Sequence, residues 1–257
     1  MKQQDSHFWP IKELRSWRSS SAERQFVDRV LSSNLLSAED RLNLAHYHAT
    51  TFFRLASAGK FYTDLSNCPV PADDSLESWF DIHHNLSGLL IASWASLDAL
   101  AQEINLICYR LAPDERFYHP VIDERKVCFY MVRLKLLRSR SLNSSPITVL
   151  LNRETKDRAT ARKQYLDLSR LHHAGLSRLP AIGRIVPEPV RAIESDIIRI
   201  GDCSVYLSDS RGPSLNTSEE YACGCDLELN STCEEILKWL GDFLDESYRA
   251  LSSMIAG

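Results

Sequence analysis

Two adjacent histidine pairs, His83-His84 in "FDIHHNLSG" and His172-His173 in "LSRLHHAGL", hold four of the chain's eight histidines. Histidine changes charge near neutral pH, so such pairs can move protons or bind phosphate or metal. Adjacent residues on a helix point about 100° apart, so the two members of a pair cannot share a direction. His83 lies in phase with the apolar positions of its segment, and His172 does the same in its own. His84 and His173 are rotated off to the flank. His83 and His172 therefore read either as core histidines bonded to carbonyls or as groups facing one inter-helix cleft. His84 follows Asp81 by three residues, near enough for a carboxylate to orient its ring. His173 follows Arg170 by three, and Lys156, Lys163 and Arg170 recur every seven residues along the same flank. Such a stripe is either a solvated basic face or one that tracks phosphates.

Metal chemistry fits these residues poorly. Asp81-x-x-His84 with His172 or His173 supplies a carboxylate and imidazoles, but helical di-metal sites use several Glu ligands and paired Glu-x-x-His motifs. Cys203, Cys223, Cys225 and Cys233 offer Cys-x-Cys rather than two Cys-x-x-Cys knuckles. Strand alternation already places Cys223 and Cys225 on an apolar face. The chain lacks a Walker phosphate loop, a nucleophile elbow and a dinucleotide fingerprint. No metal or cofactor is expected.

The elements that must position these side chains are mostly helical. The chain has 257 residues, 44% hydrophobic and 25% charged, with only 9 Gly and 10 Pro, a composition suited to a globular core with few turns. Residues 1–21 read as an arm with Trp9 and Trp17 as anchors, and 22–257 as a single domain. Ala22–Leu36 is a helix, and Ser37 caps the next one, with Glu39 and Asp40 in its first turn. Leu76–Leu111 is the strongest element. Its seam of Trp79, His83, Leu86, Leu90, Ser93, Leu97, Leu100, Ile104, Ile107 and Leu111 steps by three and four, burying one stripe of a long helix. Pro113 ends it. Lys126–Leu137 suits strand or helix, and its helical surroundings favour helix. Pro146–Leu179 is helical, with a seam of Ala161, Tyr165, Leu168, His172, Leu176 and Leu179. Alternation then predicts a hairpin around Gly201-Asp202 and a strand over Tyr221–Leu229, giving a β insertion at about 196–229. Ser231 and Glu234 form a capping box for an amphipathic terminal helix. The expected fold is mainly α, an antiparallel helical bundle with a small antiparallel sheet near the C-terminus.

Charge is distributed unevenly. Residues 125–178 carry 13 Lys/Arg against 3 Asp/Glu, and 214–249 carry 2 against 9. Either the two segments neutralise each other, or one face meets an anionic partner and the other a basic one. The start shows no signal peptide and no stretch is long and apolar enough to span a membrane. Seven cysteines without framework spacing fit reduced thiols. A cytoplasmic protein is expected.

The run "SLDALAQEIN" (Ser96–Asn105) inside the long helix, followed by a helix ending in "YLDLSRLHHAG", resembles the HEPN superfamily over roughly Glu39 to Leu179 and the terminal helix. The resemblance implies a helical, commonly dimeric domain. It also implies a metal-independent endoribonuclease or RNA-binding role in toxin–antitoxin or phage-defence systems. Carried over, His173 or His172 would withdraw the 2′-hydroxyl proton and Arg170 would stabilise charge on the phosphoryl group. Lys156, Lys163, Asp81, His83 and His84 would line the substrate path. Arg170 lies closer to either histidine than the family's Arg-x4-6-His spacing. That spacing does occur at Arg41–His46, on an early helix where the family does not place it. RNA is then the expected partner of the 125–178 segment, with a homo-oligomer expected. The other reading is a non-catalytic scaffold whose basic and acidic faces dock protein partners.

Overall fold

The computed structural model describes residues 20–69, 76–155, 161–177, 182–187, 198–200, 203–207 and 229–255. Among them the chain is mainly helical. In order the helices are α1 (Ser21–Ser32), α2 (Ala38–Ser66), α3 (Leu76–Leu111), α4 (Phe129–Arg138), α5 (Pro146–Thr155), α6 (Lys163–Ser177) and α7 (Leu229–Ile255). A 3-10 turn at Glu124–Lys126 precedes α4. Segments Ile182–Pro187, Ile198–Ile200 and Cys203–Leu207 are extended. The turn expected at Gly201-Asp202 and most of the Tyr221–Leu229 strand fall on 201–202 and 221–228, outside the described residues. The Trp9 and Trp17 anchors lie outside them as well.

Local signals explain the helix boundaries. The Ser20 hydroxyl accepts from the Glu23 N–H and starts α1. Ser37 and Asp40 cap α2 reciprocally: the Asp40 N–H donates to the Ser37 hydroxyl at 3.1 Å, and the Ser37 N–H donates to the Asp40 carboxylate at 2.9 Å. Burial alone would raise the Asp40 pKa, but bonds from Arg110 and Ser37 outweigh it and hold the carboxyl below its usual range. The segment 126–137, which suited strand or helix, forms the helix Phe129–Arg138 and buries Phe129, Val132 and Leu136.

Three expectations need correction. Pro146–Leu179 is not one helical run: residues 161–162 are non-helical between α5 and α6. A heptad stripe stays on one flank only along an unbroken helix, and Lys156 of the expected stripe lies outside the described residues. Ser231 does not cap the terminal helix, which already includes Leu229, a fully buried residue that anchors its first turn. Finally, α3 buries more than one stripe. From Leu97 to Cys108 most residues are buried, including the polar Glu103 and Asn105, so this half of the helix is surrounded rather than laid against one neighbour.

The chain divides into two compact units. One is Met1–Ala56, Ser93–Arg162 and Leu240–Gly257, and the other is Ser57–Ala92 and Lys163–Trp239. Among the described residues the first unit contains α1, α4 and α5 with parts of α2, α3 and α7. Its core includes Phe26, Val30, Leu44, Leu97, Ile104, Leu136, Ile147 and Tyr248. The second unit contains α6, the extended segments and the remaining parts of α2, α3 and α7. There Phe61 lies over Gly88 so closely that a Cβ on Gly88 would stand 2.5 Å from the ring. Among the described residues, no helix is long and apolar enough to cross a membrane.

Candidate functional site

The second unit holds the histidines that the sequence singles out. In the α3 pair, His83 turns inward: it is half-buried, and burial pushes its pKa below the usual value. Its Nδ1 is shielded and makes no hydrogen bond among the described residues. His84 is exposed, stacked on Phe80 with ring centres 5.8 Å apart and edge-on to Phe61. Asp81 is exposed. On α6, His172 is buried beside Leu168 and Leu171, and Lys163 is exposed at the helix start. Arg170 and His173 lie on α6, but their side chains fall outside the described residues, as does Lys156 entirely. The motif-spaced pair Arg41–His46 does structural work: the Arg41 guanidinium donates to the Ser33 carbonyl at the end of α1, while His46 points to solvent.

A different cluster, in the first unit, is the most highly organised group of titratable side chains described. His48 on α2 is fully buried, with ring neighbours Phe26, Phe52 and Tyr248. Its Nδ1 lies 2.9 Å from Glu103 Oε2, and its Nε2 lies 3.4 Å from Glu23 Oε1. A carboxylate only accepts, so Nδ1 carries a proton. Glu103 Oε1 also accepts from the Thr51 hydroxyl at 2.6 Å and the Tyr248 hydroxyl at 3.0 Å. Four helices thus meet at one carboxylate–imidazole assembly: α1 through Glu23, α2 through His48 and Thr51, α3 through Glu103 and α7 through Tyr248.

Burial alone would depress His48, but the charge and hydrogen bond of Glu103, with Glu23 beyond it, outweigh that and push its pKa up to about 9. Burial and the Glu103 charge drive the Tyr248 phenol well above its usual value, so it stays a neutral donor. His48, Thr51, Glu103 and Tyr248 are all at 0% exposure. No substrate reaches the cluster, and its chemistry is to hold a proton between helices. The carboxylates engage different ring nitrogens rather than converging on one point. Among the described residues no group of three His, Cys, Asp or Glu is placed to hold a metal ion.

The run that carries the family resemblance belongs to this framework. Ser96 donates to the Thr51 carbonyl at 3.0 Å. Asp98 accepts from the Phe129 N–H at the start of α4, although burial raises its pKa. Gln102 donates to the Glu124 and Val127 carbonyls. Asn105 pairs with both backbone groups of Tyr118. Every polar side chain of Ser96–Asn105 therefore ties α3 to α2, to α7 or to the 118–129 connection. Comparison with protein-family models, curated proteins and solved structures finds no match to this chain.

Proposed function

We propose that the chain is a HEPN-like, RNA-directed protein that holds RNA through exposed cations and carries Arg170 and His173 as its candidate cleavage pair. The observation that supports this reading is a group of unneutralised cations at one end of α4. Arg138 and Arg140 are exposed and make no ion pair with any described residue. The backbone that presents them is fixed, because Glu115 accepts from the N–H groups of Arg140 and Ser141 and from the Ser141 hydroxyl. Those hydroxyl and backbone bonds lower the Glu115 pKa to about 2. Cations held on an ordered turn suit the evenly spaced charges of a phosphate backbone. In the same reading the 196–229 region is a small antiparallel attachment to an antiparallel bundle.

The sealed His48–Glu103 assembly cannot serve as the cleavage site, and Arg170 and His173 of the second unit remain the candidate pair. The test is incubation of the chain with end-labelled RNA in EDTA, beside an Arg170→Ala/His173→Ala variant. The expected result is discrete cleavage by the parent chain and none by the variant. Intact RNA in both lanes would remove the cleavage claim and leave binding alone.

A non-catalytic docking scaffold is favoured by a separate observation. Phe80 and Ile91 on α3 are 58% and 51% exposed, apolar side chains that a docked partner would cover. The basic and acidic segments, by contrast, partly neutralise one another within the chain, since Arg153 on α5 pairs with Glu246 on α7. A stable homo-oligomer disrupted by Phe80→Lys would support the scaffold reading.

A further inference from the structure

The Glu23 end of the buried cluster does not close chemically, and that asymmetry has a consequence for α1. Glu103 accepts three donors: the His48 ring, the Thr51 hydroxyl and the Tyr248 hydroxyl. Glu23 is 1% exposed, yet neither of its oxygens accepts a hydrogen bond among the described residues. His48 Nε2 stands at the ion-pair distance of 3.4 Å from it. The other buried residues of α1, Ala22, Phe26, Val27 and Val30, are apolar, so Glu23 is the one charged side chain that the helix buries. A buried carboxylate without donors is strongly unfavourable, and an apolar residue of similar volume is the cheaper occupant. Glu23 is therefore tolerated only while His48 holds its proton and faces it as an imidazolium.

Loss of that proton leaves two carboxylates around a neutral ring in a sealed core. Glu103 keeps its hydroxyl donors from α2 and α7, and Glu23 keeps none. The described ring neighbours Phe26 from α1, Phe52 from α2 and the neutral Tyr248 from α7 carry no charge. The element that leaves is α1. We propose that the Glu23–His48 contact is a proton-dependent latch that docks α1 on the first unit and releases it, with the rest of that unit intact, when the His48 proton is lost.

The test is hydrogen exchange of the full chain read by mass spectrometry from pH 6.5 to 10.5, corrected for intrinsic exchange. The wild-type chain should show α1 amides 22–32 opening about tenfold faster per pH unit once pH exceeds the His48 value of about 9. At pH 10.5 amides 99–108 of α3 should remain more protected than those of α1. Glu23→Gln and Glu23→Leu should each keep α1 docked and flatten its pH dependence, leucine the more completely. Equal protection of α1 and α3 at pH 10.5 would overturn the latch, as would an α1 profile unchanged in both variants. Loss of α1 protection at every pH in both variants would overturn it too, since Glu23 would then be a packing residue.

Discussion

At the residue scale, Glu103 is the acceptor on which the first unit's polar core depends. Replacing it with leucine leaves the Thr51 hydroxyl, the Tyr248 hydroxyl and the His48 ring without their shared partner. Breaking a buried pair from one side costs about 3–5 kcal/mol, so urea unfolding of Glu103→Leu should show a loss of that size, with Glu103→Gln milder. A second prediction concerns pH. The folded pKa of His48, about 9, exceeds the usual 6.5, so the folded state binds the proton more tightly than the unfolded chain. Its contribution is complete below about pH 6.5 and is lost as pH rises through 9, on the order of 3 kcal/mol in all. Thermal melts should therefore fall from pH 7 to pH 10, and His48→Phe should flatten that slope. These residues were hard to see in the sequence because their partners are remote. Thr51, His48 and Tyr248 stand 52, 55 and 145 positions from Glu103. Along the chain Glu103 is merely a charge that interrupts an apolar run. The adjacent histidine pairs draw the eye, whereas the lone His48 in "LAHYHAT" does not.

At the element scale, local patterns were far more legible. The extent of α3, the stop before Pro113 and the Ser37 cap each depend on residues within a few positions of one another, and the structure reproduces all three. The break between α5 and α6 was not legible, because the apolar spacing of Pro146–Leu179 runs on through residues that the chain leaves non-helical. The identity of α4 depended on a distant cap, the Asp98 carboxylate on the Phe129 N–H. Asp98→Ala should destabilise by about 1 kcal/mol, as loss of an N-terminal cap does, and raise exchange in the first turn of α4. In the second unit, Gly88→Ala would drive a methyl into the Phe61 ring, an overpacking change worth about 1–3 kcal/mol. Combining it with Phe61→Leu should recover part of that loss, and a double mutant no better than the sum of the singles would contradict the contact.

At the scale of the whole molecule, the chain pairs a first unit fastened by buried polar bonds with a second unit that carries the exposed His84 and the α6 positions. The run resembling the HEPN superfamily serves the first of these tasks, as every polar side chain from Ser96 to Asn105 secures the framework. The basic composition of 125–178 was visible in the sequence, but which cations stay unpaired was not, because Arg153 and Arg162 meet Glu246 and Glu154 only in the folded chain. The most direct measurement is fluorescence anisotropy of a labelled RNA against the full chain from 50 to 300 mM salt, repeated with Arg138→Glu/Arg140→Glu. The expected result is binding that weakens linearly in log–log form with salt, and a variant that binds at least about tenfold more weakly with a shallower slope. No binding at 50 mM salt, or equal binding by the charge-reversed variant, would contradict it.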